Sequence, residues 1–179
     1  MKPTHLYLGF GSNLGERGEN IRAAARQLSE RGIPVHRMSR LYETAPVGDT
    51  HQPWFLNSVG EASAGLTPEQ VLEVLMEVEF DLGRDRISSD FRPGGPRCID
   101  LDLLLYGDLQ VRQEGLSVPH PRLHERRFVL APLAEIAPDL IHPVFRRSIR
   151  DLLGECGDTS EIHLHGGSPT VEHPPGHRI

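Results

Sequence analysis

The chain has 179 residues, of which 37% are hydrophobic and 25% are charged, a composition typical of one soluble globular domain. Its formal net charge of −6 argues against general nucleic-acid binding, because that affinity depends on neutralising phosphates, and no apolar run is long enough to span a bilayer. The N-terminus lacks an apolar signal core and the two cysteines, Cys98 and Cys156, form no CxxC pair, so we expect a cytoplasmic protein with reduced thiols.

The first half of the sequence predicts three strands and two helices. HLYLGFG at residues 5–11 is typical of a strand, and a turn separates it from a helix at residues 19–31, whose apolar residues repeat at helical spacing. Two further strands are predicted at residues 35–43 and 54–63. The loop between them contains two prolines and a glycine and is therefore expected to be stiff.

The second helix has the clearest local signals. Thr67 is a predicted N-cap, Pro68 suits the first turn and Gln70 completes a capping box. A buried stripe follows at helical spacing: Val71, Val74, Leu75, Val78 and Leu82. Glu79 lies off this stripe near the C-terminal end, where the helix dipole disfavours an acid, and this position suggests that Glu79 binds a ligand.

Residues 83–97, GRDRISSDFRPGGPR, have almost no apolar content. Four arginines stand against two aspartates, which gives a local charge of +2: Arg84, Arg86, Arg92 and Arg97 against Asp85 and Asp90. Gly83 at one end and PGGP at the other predict a mobile flap with a stiffer exit. A plain solvated surface loop is the alternative.

The flap runs directly into RCIDLDLLLY at residues 97–106, which predicts a strand. Side chains alternate between the faces of a strand, so one face carries Ile99, Leu101, Leu103 and Leu105, and the other carries Asp100 and Asp102. Two carboxylates held together on a rigid strand predict a magnesium site, although two solvated acids would give the same pattern. The adjacent arginines favour a site for polyphosphate.

The last third of the chain predicts shorter elements. A short strand at 109–112 precedes a second basic cluster at 116–129, and helices are expected at 128–137 and 147–153. We expect one domain over residues 1–156. Residues 157–179 are rich in Gly, Pro and His and are expected to form a flexible tail whose removal changes activity little.

The element order of strand, helix, strand, strand, helix, strand predicts an α+β fold with a ferredoxin-like βαββαβ sheet and helices packed on it. Five blocks then resemble, in order and spacing, the 6-hydroxymethyl-7,8-dihydropterin pyrophosphokinases of folate biosynthesis over roughly residues 5–153: GSNLGER, YETAPVG, QPWFLNSV, GPRCIDLDLLLYG and VPHPRLHERRFVLAPLAEIAPDL. The resemblance implies a three-layer α/β/α sandwich. It also implies magnesium-dependent transfer of diphosphate from ATP to the hydroxymethyl group of the pterin, with release of AMP.

By the same resemblance, Asp100 and Asp102 hold two magnesium ions. Arg84 and Arg97 join them as catalytic residues at the phosphates, with Arg86 nearer the nucleotide. Contacts to ATP are further implied for Glu79, Leu103, Ser117 and His120.

The resemblance places the pterin between two stacking aromatics, Phe55 and Phe128. Asn57 would read the edge of the ring, and Arg126 would contact the reacting hydroxymethyl end. Backbone hydrogen bonds would come from a loop of four residues: Thr44, Ala45, Pro46 and Val47. The implied ligands are small molecules, with no nucleic-acid or membrane partner, and we expect a monomer.

The sequence departs from the family pattern at two places. The flap has Pro93 and Gly94 where a tryptophan is frequent, and Met76 replaces a polar residue one turn before Glu79. Two other functions remain open: a magnesium-dependent nucleotidyltransferase on the same DxD strand, which would release pyrophosphate, and a non-catalytic ferredoxin-like ligand-binding module.

Overall fold

A computed structural model describes residues 2–47, 51–84 and 95–166. The described residues form eight strands, four helices and one 3₁₀ turn. In chain order these are β1 (Thr4–Ser12), α1 (Arg17–Glu30), β2 (Val35–Met38), β3 (Tyr42–Thr44), β4 (Phe55–Ala64), α2 (Pro68–Asp81), β5 (Asp100–Tyr106), β6 (Val111–Gln113), β7 (Leu116–Val118), the 3₁₀ turn (Leu123–Glu125), α3 (Arg127–Ile136), α4 (Ile149–Glu155) and β8 (Ile162–Leu164).

The main sheet is antiparallel, with strand order β5-β1-β4-β3-β8 and with β2 also paired to β4. Strands β6 and β7 form a separate hairpin. If β2 and β3 are counted as one interrupted strand, the order of the inner strands is that of a ferredoxin-like sheet, and the predicted fold class is confirmed.

Helices cover both faces of the sheet and create two cores. On one face, α1 and α2 pack Ile21, Leu28 and Val71 against Leu8 of β1, and all four side chains are fully buried. On the other face, α3 and α4 pack against β4 and β5 in a second cluster. The result is the expected three-layer sandwich, and none of the helices in the described part has the length and hydropathy of a membrane span.

The start of α2 follows its local sequence. The Thr67 hydroxyl accepts the Gln70 amide N–H at 3.3 Å, and the Gln70 side chain accepts the Thr67 N–H at 2.9 Å. This confirms the predicted capping box, which satisfies two helix-end N–H groups that have no partner within the helix.

The strand predicted at residues 35–43 is interrupted. The Ser39 hydroxyl accepts the Val59 amide N–H at 3.0 Å, while the Ser39 amide donates to the Val59 carbonyl at 2.9 Å. A side chain therefore occupies a place in the ladder that a backbone carbonyl would fill in a regular strand. This explains why β2 and β3 are separate elements along one edge of β4.

The prediction that Leu105 shares a face with Leu101 and Leu103 is wrong. Leu8 pairs with Leu103 and Tyr7 pairs with Leu105, so Leu104 is an extra residue in β5. This bulge turns Leu105 into the core beneath α3 and α4. Asp100 and Asp102 precede the bulge and keep the common face that alternation predicts.

The segment after α4 differs from the expected tail. Strand β8 pairs with β3 along three residues, from Thr44 opposite Ile162 to Tyr42 opposite Leu164. Strand β8 pairs with an existing sheet edge and therefore needs no hydrophobic core of its own. For this reason the composition of the segment contains no signal that predicts a strand. Residues 167–179 lie outside the described residues.

Candidate active site

A cavity of about 810 Å³ opens on the sheet face that carries Asp100 and Asp102. Its walls come from β1, β3, β4, β5, the start of α3 and the segment after α4. Many of the residues implied by the resemblance line it together: Thr44, Ala45, Val47, Phe55, Asn57, Arg97, Asp100, Asp102, Arg126 and Phe128. Together these residues span more than 80 positions of the sequence, from Thr44 to Phe128, and the sheet topology brings them to one place.

Two glycines of β1 form the floor beside the carboxylates. Gly9 pairs with Asp102, and Gly11 pairs with Asp100. Since neither glycine has a side chain, nothing from β1 covers the carboxylate face at these positions. Sequence reasoning treated these glycines only as part of a strand and a turn, although the alternating GFG pattern does mark an open face.

The carboxylate pair repels additional negative charge. Burial, followed by the charge of Asp100, raises the pKa of Asp102 to about 6, and Arg126 acts in the opposite direction. A bound cation would remove this conflict, because it favours the ionised form of both acids.

The pair fits magnesium by its donor set. Within residues 2–47, 51–84 and 95–166, no group of three or more His, Cys, Asp or Glu side chains could hold a metal ion. Magnesium commonly takes one or two carboxylates and completes its octahedral shell with waters and substrate phosphates. Asp100 and Asp102 therefore suit an ion that arrives with a phosphorylated ligand.

Arginines approach Asp100 from two sides. Arg84 donates through Nη1 to Asp100 Oδ1 and, at 2.7 Å, to Glu79 Oε1. The Nε atom of Arg97 lies 3.1 Å from Asp100 Oδ2. Both Nε atoms are buried and neither makes a hydrogen bond of good geometry to the described residues, although that of Arg97 has its ion pair with Asp100.

Glu79 joins α2 to this cluster. Its side chain is 1% exposed, and Oε1 accepts the Leu101 amide N–H at 2.8 Å as well as Arg84. The acid at the end of α2 thus has an arginine and a backbone amide as partners, and it orients Arg84 toward Asp100.

The other end of the cavity is aromatic and amide-lined. Asn57 donates through Nδ2 to Thr44 Oγ1 at 2.7 Å, and both side chains are buried. The Arg97 guanidinium lies 5.0 Å from the centre of the Phe55 ring, and Arg126 lies 5.6 Å from that of Phe128. Each phenylalanine therefore borders an arginine, and the flat apolar end of the cavity is continuous with its cationic end.

Other predicted site residues lie outside the lining of this cavity. Pro46 is buried in the loop after β3, and Leu103 is 5% exposed in the core beneath α1 and α2. Ser117 lies in β7, which packs on β5. Arg86 and the departure at Pro93 and Gly94 lie outside the described residues.

His120 lies between β7 and the 3₁₀ turn. Burial and the nearby charge of Arg126 lower its pKa to about 4, and its Nδ1 accepts the Arg122 amide N–H at 3.1 Å. The ring is therefore neutral near pH 7, with the proton on Nε2 available as a donor.

Asn13 supports the site and was missed by sequence reasoning. It is 2% exposed, its Oδ1 accepts the Arg97 amide N–H at 2.8 Å, and its Nδ2 donates to Gln52 Oε1 at 3.0 Å. Asn13 thus ties the residue before the DxD strand to the loop before β4. The only sequence signal was its place in the GSNLGER block.

Comparison with known proteins identifies related sequences. Residues 7–138 match the sequence model of the 7,8-dihydro-6-hydroxymethylpterin-pyrophosphokinase family. A Methylorubrum extorquens protein named 2-amino-4-hydroxy-6-hydroxymethyldihydropteridine pyrophosphokinase is 47% identical over 139 residues, which are 77% of this chain and 85% of that protein. The Pneumocystis carinii folic acid synthesis protein fol1 is 44% identical over 144 residues, which are 80% of this chain but 19% of that protein.

Solved structures share the fold. A Plasmodium falciparum HPPK-DHPS structure aligns with a TM-score of 0.69 at 16% identity and covers 86% of this chain and 44% of that chain. This chain therefore spans about a fifth of the Pneumocystis relative and less than half of the Plasmodium chain, whereas it covers most of the Methylorubrum protein.

Proposed function

The chain belongs to the 7,8-dihydro-6-hydroxymethylpterin-pyrophosphokinase family, and from this premise we propose that it transfers the terminal diphosphate of ATP to 6-hydroxymethyl-7,8-dihydropterin in a magnesium-dependent reaction that releases AMP. The reaction serves folate synthesis, which the names of several relatives state. One observation carries the proposal: a single cavity joins an aromatic, amide-lined end to a carboxylate and arginine end.

The aromatic end suits the pterin. A flat heterocycle needs ring faces for stacking and fixed polar groups at its edge, and we assign these roles to Phe55, Phe128 and Asn57. The hydrogen bond from Asn57 to Thr44 holds the amide in one orientation. The Ala45 amide N–H already donates to the Glu161 carbonyl at 3.4 Å, so Ala45 would contact the pterin through its carbonyl, alongside backbone contacts from Thr44, Pro46 and Val47, of which Pro46 can only accept.

The charged end suits the triphosphate. Asp100 and Asp102 would hold two magnesium ions, and the chemistry that these supply when bound is neutralisation of charge on the phosphate oxygens. Arg84 and Arg97 would place their guanidinium groups on the same oxygens, with Arg86 of the flap as a further contact, and Arg126 would contact the reacting hydroxymethyl end of the pterin. For the rest of the nucleotide we propose Glu79, Leu103, Ser117 and His120.

In the proposed reaction the hydroxymethyl oxygen attacks the β-phosphorus of ATP. The bond from that phosphorus to the oxygen bridging to the α-phosphate breaks, AMP leaves with the electron pair, and the hydroxyl proton passes to solvent or phosphate. The protein forms no covalent intermediate, because positioning and charge compensation suffice for phosphoryl transfer. We place this reaction in the cytoplasm, as the sequence predicts.

Product analysis tests the reaction. Purified protein with ATP, magnesium and the pterin is expected to form AMP only when pterin is present, and chromatography separates AMP from ADP. Pyrophosphate release would favour the nucleotidyltransferase, whereas pterin binding without turnover would favour the binding module. Either result would contradict the proposal.

Asp102→Asn tests the metal site in the same assay. We expect a loss in kcat on the order of 100-fold or more, because charge compensation at the phosphates is the main catalytic contribution. The melting temperature should not fall, since the variant removes a charge whose raised pKa reflects an unfavourable environment. Asp139→Asn is the control, because Asp139 is 83% exposed and pairs with Arg150 away from the cavity. Wild-type turnover by Asp102→Asn would refute the assignment.

A further inference from the structure

We propose that residues 156–166, here called the C-terminal clasp, complete the pterin end of the cavity, and that Asp158 is a positioning residue for pterin binding. This inference rests on the proposed function. It assigns a role to a segment that the sequence predicted to be a dispensable tail and that lies beyond the residues matched by the family, 7–138.

The clasp forms part of the cavity wall. After α4 the chain turns back across the sheet, and four of its residues line the cavity beside the loop that follows β3: Cys156, Gly157, Asp158 and Ser160. Without the clasp, the end of the cavity that holds Phe128 and Ala45 would open to solvent on that side.

Asp158 connects the clasp to the start of α3. Its Oδ2 accepts the Arg127 amide N–H at 2.9 Å, and its Oδ1 accepts the Ser160 amide N–H at 2.8 Å. The N-cap residue of α3, Arg126, makes no side-chain capping bond. Asp158 therefore supplies from a distant segment the acceptor that a local cap would provide, and an anion at this helix end is favourable.

The residues on either side of Arg127 face the cavity. Arg126 and Phe128 line it, and their guanidinium and ring stack at 5.6 Å. A shift of the first turn of α3 would move both groups together. In this proposal Asp158 affects pterin binding indirectly, by positioning Arg126 and Phe128, and does not itself contact the pterin.

The far end of the clasp holds the opposite wall. Strand β8 pairs with β3 from Tyr42 to Thr44, and the Glu161 carbonyl accepts the Ala45 amide N–H. The ring of His163 stacks on Trp54 at 5.9 Å between centres and an interplanar angle of 13°. The clasp therefore fixes the outer side of the loop proposed to bind the pterin edge.

Asp158→Ala is expected to raise the KM for pterin about 10-fold, the order expected when a charge-assisted hydrogen bond that orders a binding wall is lost. The KM for ATP and kcat should change by less than about twofold to threefold, because Arg84, Arg97 and the carboxylates are held by other segments. Asp158→Asn keeps one acceptor oxygen and should fall between wild type and alanine. Asp139→Asn serves as the control on the surface.

Two shortened chains test the role of the clasp without a point substitution at Asp158. A chain ending at Gly166 keeps the clasp and should match the full chain, whereas a chain ending at Cys156 should show the same selective rise in the pterin KM. Calorimetric titration of pterin, with magnesium and a non-hydrolysable ATP analogue present, gives the binding constant of each variant without turnover.

The outcomes separate the two proposals. A selective loss of pterin affinity in Asp158→Ala, or in the chain ending at Cys156 if the point variant does not fold, supports the clasp. Pterin constants within twofold of wild type, or equal rises in the constants for pterin and ATP, would overturn it while wild-type AMP formation upholds the proposed function. A wild-type protein that neither binds pterin nor forms AMP would overturn both.

Discussion

Gly9 and Gly11 lie two residues apart on the same face of β1, but the space above them differs. A methyl group on Gly11 would stand 3.0 Å from Asn57 Oδ1, which is closer than nearly all real contacts of this kind, whereas one on Gly9 would meet a Leu104 methyl at 3.5 Å. Both glycines lie in β1 and neither has a positive φ, so the backbone accepts alanine at both positions and a difference between the two alanine variants reports their neighbours.

Gly11→Ala should therefore disturb the Asn57 amide that we assign to the pterin edge. We expect the pterin KM to rise about 10-fold, as when a buried polar contact is misaligned, with the KM for ATP little changed. Gly9→Ala should change the pterin KM by less than about twofold because its contact is ordinary packing. Steady-state kinetics with each substrate varied in turn decides this, and equal effects of the two variants would contradict the assignment of Asn57.

At the scale of elements, the connection between α3 and α4 contains a buried histidine. His142 is 2% exposed, and its Nδ1 accepts the amide N–H groups of Val144 and Phe145 at 3.2 and 3.3 Å. Burial, aided by nearby His124, lowers the pKa of His142 to about 4. Protonation of Nδ1 would remove the acceptor on which the turn depends.

Because of His142, we expect the free energy of unfolding of the protein to decrease in acid. Between the unfolded pKa near 6.5 and the folded pKa near 4, the unfolded chain binds more protons, so the free energy of unfolding decreases as pH falls through that window. We expect His142 to contribute on the order of 1 kcal/mol, discounted from the full shift because the loop lies at the surface.

Urea unfolding at pH 7 and pH 4.5 measures the effect. His142→Asn keeps an acceptor near Nδ1 and cannot be protonated, so the variant should lose less stability on acidification than wild type. The pKa of His120 is also lowered, so His120 also contributes to the loss of stability in acid. Its contribution is the same in wild type and in His142→Asn and cancels in the comparison. An identical pH dependence in the two proteins would show that His142 does not control the loop.

Prediction from the sequence succeeded where the signal is local. The capping residues of α2 and the alternation that puts Asp100 and Asp102 on one face depend on neighbours in the chain. Three features depend on pairing with distant strands: the bulge at Leu104, the break at Ser39 and strand β8. The residues that form them contain no local signal that predicts this pairing. Asn13 and Asp158 were missed for the same reason, since each acts on a backbone amide more than 30 residues away.

The whole molecule is expected to be a monomer. Its exposed large apolar side chains are spread over separate places, including Met76 and Phe80 on α2, Val144 and Phe145 in the loop before α4, and Leu164 on β8. In the part of the chain that the structure describes, these groups belong to different elements, and single exposed apolar side chains are normal on the surface of a soluble protein. Light scattering should give a mass near 20.0 kDa at all concentrations.

The pairing of β8 with β3 has a consequence for solubility. If residues 157–179 were removed, the Leu41 carbonyl, the Ala45 N–H and the outward-facing backbone groups of Glu43 would lose their partners, and unpaired strand edges are templates for joining other chains. The shortened protein should therefore show a mass that rises with concentration, and a constant monomer mass would contradict this. Three paired residues at the rim of the sheet would then decide whether the molecule stays dispersed or self-associates.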